Sequence, residues 1–404
     1  MIDRPRHLEN TVQHYDWGSP TAIPGLLGVE PDGRPAAELW LGAHGSAPST
    51  VSTADGTVPL DTLIHQYPDV LLGRRTVEAF GPRLPFLLKA LAAQRALSLQ
   101  VHPKPHVARA GFNRENVAGL PRSSPERTFH DDQHKPEMVV ALTQFDGLAG
   151  FRQPRVILDL LDGLNGDLVT SIRSSLRSDP SPLGLRTAFE HSLSARHDPG
   201  LSADLERTTA DIRERVENGS SWSRADSTAL ALSEQHPGDP GAISSLMLNR
   251  VTLDPGESIF VPAGEIHAYL SGFCIEVMAS SDNVVRAGLT SKRMDLDALM
   301  QCTSFEARPP AAPQITVSGA QGEIRTYRAP VPEFALVMAE PTVLRPVELP
   351  TEGPRIVLCL DGDLQVTCDT GEERIIRGQS IFVPHASGAL TVSGTGQIVC
   401  AYVP

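Results

Sequence analysis

Cysteine and positive charge are both in short supply in this chain. Its 404 residues include only five cysteines (Cys274, Cys302, Cys359, Cys368 and Cys400), an odd number with no CxxC pair. That argues against a disulfide framework. Reduced thiols packed mostly in strands are expected, as in a cytoplasmic protein. Lys and Arg number 35 against 48 Asp and Glu, a formal net charge of -13. Broad nucleic-acid binding needs a basic face and is excluded. The same balance repels phosphorylated metabolites at long range, so any phosphate site must be a local knot of Lys and Arg. No stretch approaches the roughly 20 apolar residues of a membrane span. The first ten residues carry charge and no apolar run, so no secretory leader is expected. The hydrophobic share of 40% and charged share of 21% are ordinary for a soluble globular chain. Its length predicts two or three domains.

Texture divides the chain. From Val12 to Val101, short apolar segments punctuated by Gly and Pro predict a β-rich region. Leu97 to His102 alternates, which on a strand places Ser98, Gln100 and His102 in one row and Leu97, Leu99 and Val101 in the other. Between Gln153 and about Ser245 the spacing turns helical. Val156 to Leu161 and Leu201 to Val216 carry it, with Arg207, Asp211 and Arg215 on one face. Strand texture returns at Met247 and resumes after the Pro-rich link Arg308 to Pro313. One internal repeat is visible: Gly256-Glu257-Ser258-Ile259-Phe260-Val261-Pro262 recurs as Gly378-Gln379-Ser380-Ile381-Phe382-Val383-Pro384. His267 follows the first Pro by five residues, and Ala389 follows the second by five. A duplicated jelly roll in which only the first copy kept a ligand accounts for this simply. The expected architecture is mainly β, with two jelly-roll domains and an α-helical insertion. Residues 1–152 with 246–308 form the metal-bearing domain, 153–245 the helical domain and 309–404 a degenerate second copy.

Three distant stretches together offer one divalent metal a full set of ligands. They are Gln100-Val101-His102, His134-Lys135-Pro136-Glu137 and Gly264-Glu265-Ile266-His267-Ala268-Tyr269. Zinc accepts His nitrogen and carboxylate oxygen, and a catalytic site keeps a position open. Gln is a weak neutral ligand, so two His, one Glu and one Gln preserve the Lewis acidity of the ion. Taken singly, each has a plain alternative: a strand's solvent face for Gln100 and His102, a surface ion pair for Glu137, no preference for His267. Downstream, Arg286-Ala287-Gly288-Leu289-Thr290-Ser291-Lys292 is a basic segment suited to an anionic substrate. A metal beside fixed positive charge can move a proton next to a carbonyl on a phosphorylated molecule.

Several of these segments resemble the signature of type I phosphomannose isomerases, which belong to the cupin superfamily. They are His267 to Gly272, Glu276 to Asn283, Arg286 to Lys292, Phe129 to Glu137 and Leu97 to Pro103, joined by Val12 to Ser19 and Ala37 to His44. The matches run from about residue 10 to residue 296 in family order, and the tail resembles the family's second cupin domain more loosely. The resemblance implies two cupin-type jelly rolls and one Zn2+ per chain. It also implies interconversion of mannose 6-phosphate and fructose 6-phosphate. It assigns Gln100, His102, Glu137 and His267 as ligands, Arg286 as the catalytic arginine, and Ser98 and Lys292 as holders of the phosphate. Gln133, Phe129 and Ser291 depart from the family pattern, and Ser291 puts phosphate affinity in doubt.

The reaction needs a base that carries a proton between C2 and C1. Glu276, alternating with Cys274 and Met278 on a strand leading from His267, is the expected base; Lys135 is an alternative base or a substrate contact. Either residue has a structural alternative, Glu276 as a partner of a ligand His. The plain reading of Arg286 is a surface salt bridge, for instance with Asp282. Trp17 and Tyr269 are expected as apolar walls for a sugar. The partner is a sugar phosphate, with no nucleic acid and no membrane, and the chain is expected to be a monomer. Competing readings are a non-catalytic sugar-phosphate-binding bicupin and a redox-metal cupin enzyme.

Overall fold

One strand, His267–Ala279, organises the first half of the molecule in a computed structural model that describes residues 2–53, 56–321 and 323–404. From Gly272 onward it pairs antiparallel with Phe86–Ala93 on one side and Glu137–Ala141 on the other. Its first residues pair instead with Phe145–Phe151, and His267 stands opposite Gln100 of Leu99–Val101. The register shifts between Tyr269 and Ser271. Gly272, at φ 117°, takes the bend where a Cβ would lie 2.5 Å from the Gln144 carbonyl oxygen. A single strand thus passes from one set of neighbours to another, and the ten-stranded sheet folds over on itself as a jelly roll.

The second half repeats the device. Arg355–Cys368 and Leu390–Tyr402 pair along their whole length, with a register shift between Cys359 and Asp361, and anchor a nine-stranded sheet. The sequence repeat falls at equivalent places: Ser258–Val261 puts Val261 opposite Glu137, while Ser380–Val383 puts Val383 opposite Arg355. The two rolls share one apolar interior, in which Leu88, Met138 and Ile275 pack with Leu336, Ile356 and Phe382.

Arg355 therefore holds the register position that Glu137 holds in the first roll. It is fully buried. Its guanidinium donates to the carbonyls of Pro350 (3.3 Å), Gly388 (3.1 Å), Pro384 (2.5 Å) and Thr351. Where the first roll carries the candidate ligand Glu137, the second carries a side chain that ties its own loops together. Arg355→Met keeps length and removes the donors, so it is expected to destabilise the protein by about 3 kcal/mol. A lowered urea midpoint measures this; an unchanged midpoint would mean that the carbonyls find other donors.

Between the strands Phe145–Phe151 and Leu248–Leu253 lie the helices Pro154–Leu160, Asp167–Ser178, Pro182–Ser194, Leu201–Glu217, Ser223–Gln235 and Gly241–Ser244. Leu201, Leu205, Thr208 and Ile212 are buried at helical spacing. The apolar helix faces pack on the outside of the first roll, against Leu99, Val101 and Val285. Arg207, Asp211 and Arg215 do not pair with one another: Arg207 pairs with Asp204 of its own helix at 2.9 Å, and the other two make tertiary contacts. Arg215 donates to the Leu160 carbonyl at 2.7 Å and pairs with Asp226; Asp211 accepts from the Asn165 amide at 2.7 Å.

Within the N-terminal region, expected to be β-rich, four short helices accompany the strands. Ala22–Leu27, Leu60–Gln66, Pro68–Leu72 and Arg74–Phe80 are helices. Each has at most seven residues, too few to display a helical period, and Gly28, Gly73 and Gly81 end three of them at positive φ. Two further helices escape the sequence reading, Pro105–Val117, with Pro at its first position, and Leu296–Cys302, capped by Asp295.

Candidate metal centre and substrate cavity

Strand register brings the separated ligands together. Gln100 stands opposite His267 on one side and Arg286 on the other, and residues directly opposed across strands share a face. His102 follows the same strand by one residue. Glu137 opens its own strand at the register of Met278. The alternation read from Leu97 to His102 holds from Leu99 onward: Leu99 and Val101 enter the helical core, and Ser98 and Gln100 line the cavity. Leu97 departs from it, packing with Phe145 and Tyr269 instead, because the strand begins only at Leu99.

The donor atoms of His102, Glu137 and His267 all lie within 4.8 Å of one another, the one such cluster among the described residues. His102 Nε2 is 3.2 Å from Glu137 Oε1, and His267 Nε2 is 3.3 Å from Glu137 Oε2. Both tautomers are fixed from behind. His102 Nδ1 donates to the Asn283 carbonyl at 2.7 Å and His267 Nδ1 to the Glu265 carbonyl at 2.9 Å, since a carbonyl can only accept. Both Nε2 lone pairs therefore point at the carboxylate. Three Lewis bases facing one another, with His102 Nε2 buried and lacking a hydrogen bond, are ill paired alone and well paired around a cation. The residues fit a zinc ion.

Electrostatics favour the ligating forms. Burial, then Lys135, brings His102 down to about 4, keeping it neutral. Burial alone would raise Glu137, but the Lys135 ammonium at 2.9 Å outweighs it and holds the carboxyl well below the ordinary carboxylate range. Tyr269 is more than an apolar wall: its hydroxyl donates to Glu137 Oε2 at 3.3 Å, and burial and Glu137 keep the phenol protonated. Gln100 lies over the cluster, with Nε2 3.5 Å from His267 Nε2 and Oε1 accepting from Ser98 at 3.4 Å.

The cluster opens into a cavity of about 570 Å³, whose lining includes Trp17, Ser98, Lys135, Glu276, Arg286 and Lys292. Trp17 stacks on Tyr15 at 5.6 Å. Arg286 is half-buried and forms no ion pair among the described residues. Asp282 lies instead 3.4 Å from His44, itself buried in the cavity wall. Beyond Arg286 the backbone bends at Leu289, at φ 54° the one non-glycine residue with positive φ among the described residues. Such strain is kept where the surroundings enforce it. Here Asp239 of the helical insertion accepts from the Thr290 amide at 3.3 Å. Lys292 N bonds Thr290 Oγ1 at 3.1 Å, so the loop is tied down beside Ser291. The insertion also supplies Gln235 and His236 to the cavity.

Comparison with known proteins agrees with this geometry. Residues 6–154 match the model of the phosphomannose isomerase type I catalytic domain, and residues 342–403 the mannose-6-phosphate isomerase cupin domain. The mannose-6-phosphate isomerases of Shigella flexneri and Escherichia coli (strain K12) are each 36% identical over 399 residues, covering 98% of both chains. The chain belongs to the type I phosphomannose isomerase family. A zinc-bound structure of a mannose 6-phosphate isomerase superposes with a TM-score of 0.87 at 33% identity, covering 99% of each chain.

Beside the family's motifs, the structure adds residues that sequence reasoning passed over. On the sheet, Trp40, Lys89 and Glu276 form one cross-strand row. Lys89 Nζ is 2.9 Å from Glu276 Oε2 and 3.3 Å from Glu38 Oε1, and all three side chains are buried. Burial alone would depress Lys89, but Glu276 and Glu38 outweigh it and raise it. Burial raises Glu276 against the pull of Lys89. The signal was present: Lys89 is the lone charge in the apolar run Phe86 to Ala93. His44 and Glu38 lay inside a quoted motif without a role.

Proposed function

We propose that this chain is a zinc-dependent aldose-ketose isomerase that interconverts D-mannose 6-phosphate and D-fructose 6-phosphate in the cytoplasm. The observation that carries this is the convergence of two buried Nε2 lone pairs and the Glu137 carboxylate on a cavity lined by Arg286. The same activity is the one named for full-length relatives. His102, Glu137 and His267 hold the zinc. Gln100 completes the set once its amide is turned, a half-turn that exchanges oxygen for nitrogen without changing shape. The ion supplies Lewis acidity toward the substrate's oxygens. Residues 1–152 with 246–308 make up the catalytic unit, roofed by 153–245, and 309–404 is the second roll. The chain acts as a monomer on a sugar phosphate, which Trp17 helps to wall in.

Glu276 takes the C2 proton of the open-chain aldose and returns one to C1, while the O2 hydroxyl proton passes to O1. Its raised pKa suits a base that must also release the proton. Lys89 holds the carboxylate in place. Arg286 offers a rigid fork of donors to the oxygen on which negative charge builds. Lys135 neutralises Glu137 and contacts a substrate hydroxyl. Ser98 and Lys292 hold the phosphate end, where the local positive charge overcomes the net charge of -13. A non-catalytic sugar-phosphate-binding bicupin is not favoured, because the first roll's ligand set is intact.

The test is turnover of mannose 6-phosphate in deuterated water with the wild type and Glu276→Gln. Wild-type turnover with solvent deuterium entering the transferred position is expected, and the variant should lose at least about 100-fold in both. Exchange at the wild-type rate in the variant removes Glu276 as the base; absence of turnover in the wild type removes the function.

A further inference from the structure

The second roll carries no metal cluster among the described residues, yet one of its side chains reaches the loop beside the first roll's site. We infer that Glu333 is a positioning residue for Lys135, acting through His134. This rests on the reading that Lys135 belongs to the active site.

Glu333 lies between the strands Ile324–Arg328 and Ala335–Ala339 of the second sheet. It is followed by Phe334, fully buried in the core shared by the two rolls. Its Oε1 is 2.6 Å from His134 Nε2. A carboxylate only accepts, so the ring donates from Nε2. Glu333 is 9% exposed, and its Oε2 is buried without a partner among the described residues. An unpartnered buried carboxylate oxygen is unfavourable on stability grounds alone. Its retention beside a single, short contact is what a site-supporting group shows.

His134 immediately precedes Lys135, whose ammonium sits 2.9 Å from Glu137 Oε1 and faces the cavity. The loop leading to it is held from the other side by the first roll. Asn283 accepts from the His130 amide at 2.8 Å and donates to the Gln133 carbonyl at 2.9 Å. Asn283 also presents the carbonyl that fixes His102. Within loop 130–136 the first roll holds Asp131, Gln133 and the Pro136 carbonyl, which accepts from the Ala279 amide at 3.0 Å, while at His134, the residue before the lysine, the contact printed among the described residues is Glu333 of the second sheet. A loop fixed also at the residue before the lysine presents one lysine position; a loop free at that point presents several. The C-terminal roll, though stripped of ligands, completes the catalytic constellation.

Five proteins test this: wild type, Glu333→Leu, Glu333→Gln, His134→Ala and the double variant Glu333→Leu/His134→Ala. Glu333→Leu keeps volume and removes the acceptor, and is expected to lower kcat about tenfold. KM, zinc per chain and melting temperature should stay close to the wild type. Glu333→Gln keeps an oxygen in place and should recover most of the rate. His134→Ala should match Glu333→Leu, and the double variant should be no slower than either. A kcat for Glu333→Leu equal to the wild type overturns the inference, as do losses that multiply in the double variant, or a slow Glu333→Leu that Glu333→Gln fails to rescue. If the wild type itself does not turn over mannose 6-phosphate, both the function and this inference fall. Normal wild-type turnover with an indifferent Glu333 removes the inference only.

Discussion

Arg286→Ala is expected to lower kcat for mannose 6-phosphate by about 100- to 1,000-fold while one zinc per chain stays bound. The reason lies in the register. Arg286 is the cross-strand neighbour of Gln100, which is the cross-strand neighbour of His267. The guanidinium therefore stands on the face that carries the ligands, without being one of them. It is half-buried, forms no ion pair among the described residues, and burial lowers its pKa, though an arginine so placed stays charged. An unpaired charge held partly out of water is unfavourable until a ligand meets it. Oxygen charge that develops during the proton transfer meets that requirement better than the neutral ground state does. The loss should accordingly fall on kcat more than on KM, and Arg286→Lys should recover only part of it, since an ammonium lacks the planar fork. Steady-state kinetics with metal analysis on the same sample decides this. Wild-type kcat in Arg286→Ala would remove Arg286 from the mechanism.

How much of this was legible beforehand follows from how each residue is held. That Gln100, His102, Glu137 and His267 come together could be read because a candidate ligand set is a chemical pattern in residue types, and a strand with period two shows which side chains share a face. The helical insertion could be read because Leu201–Glu217 is long enough for its buried positions to recur. The short helices between Ala22 and Phe80 could not, because five to seven residues span fewer than two turns. Cross-strand partners stayed hidden for another reason. Lys89, Glu276 and Glu38 are charged residues on three strands distant in sequence, and only register reveals that they neutralise one another. Glu333 is the extreme case, 199 residues from His134, with nothing in its own neighbourhood to mark it. The same logic applies to Arg355. The repeat in sequence identified the second roll, but its replacement of Glu137 appears only once Val261 and Val383 are seen opposite those two residues.

Glu137→Gln should have the largest effect of any single change, abolishing both zinc retention and isomerisation. The substitution keeps size and removes charge. Glu137 sits between two histidines whose Nε2 atoms approach its two oxygens at 3.2 and 3.3 Å, so it is the one anionic member of the cluster and its geometric centre. A neutral amide there leaves Lys135 without its counter-charge at 2.9 Å, adding repulsion toward the incoming cation. Loss of turnover beyond about 1,000-fold is expected, with zinc falling below stoichiometric amounts during gel filtration. Chelation of the wild type should reproduce the loss, and added zinc should restore the wild type but not the variant. Acid should act in the same direction. His102 titrates at about 4 in the fold against 6.5 ordinarily. The contribution of this one group to the stability of the metal-free fold is thus complete above 6.5 and is lost as pH falls from there toward 4. Zinc must also compete with protons for the same Nε2 atoms across that range. A thermal melt of chelated protein at stepped pH, beside the zinc-loaded form, reads both effects. A Glu137→Gln protein that keeps its zinc and its turnover would show that the two histidines and Gln100 suffice, and that the carboxylate is not needed to hold the ion.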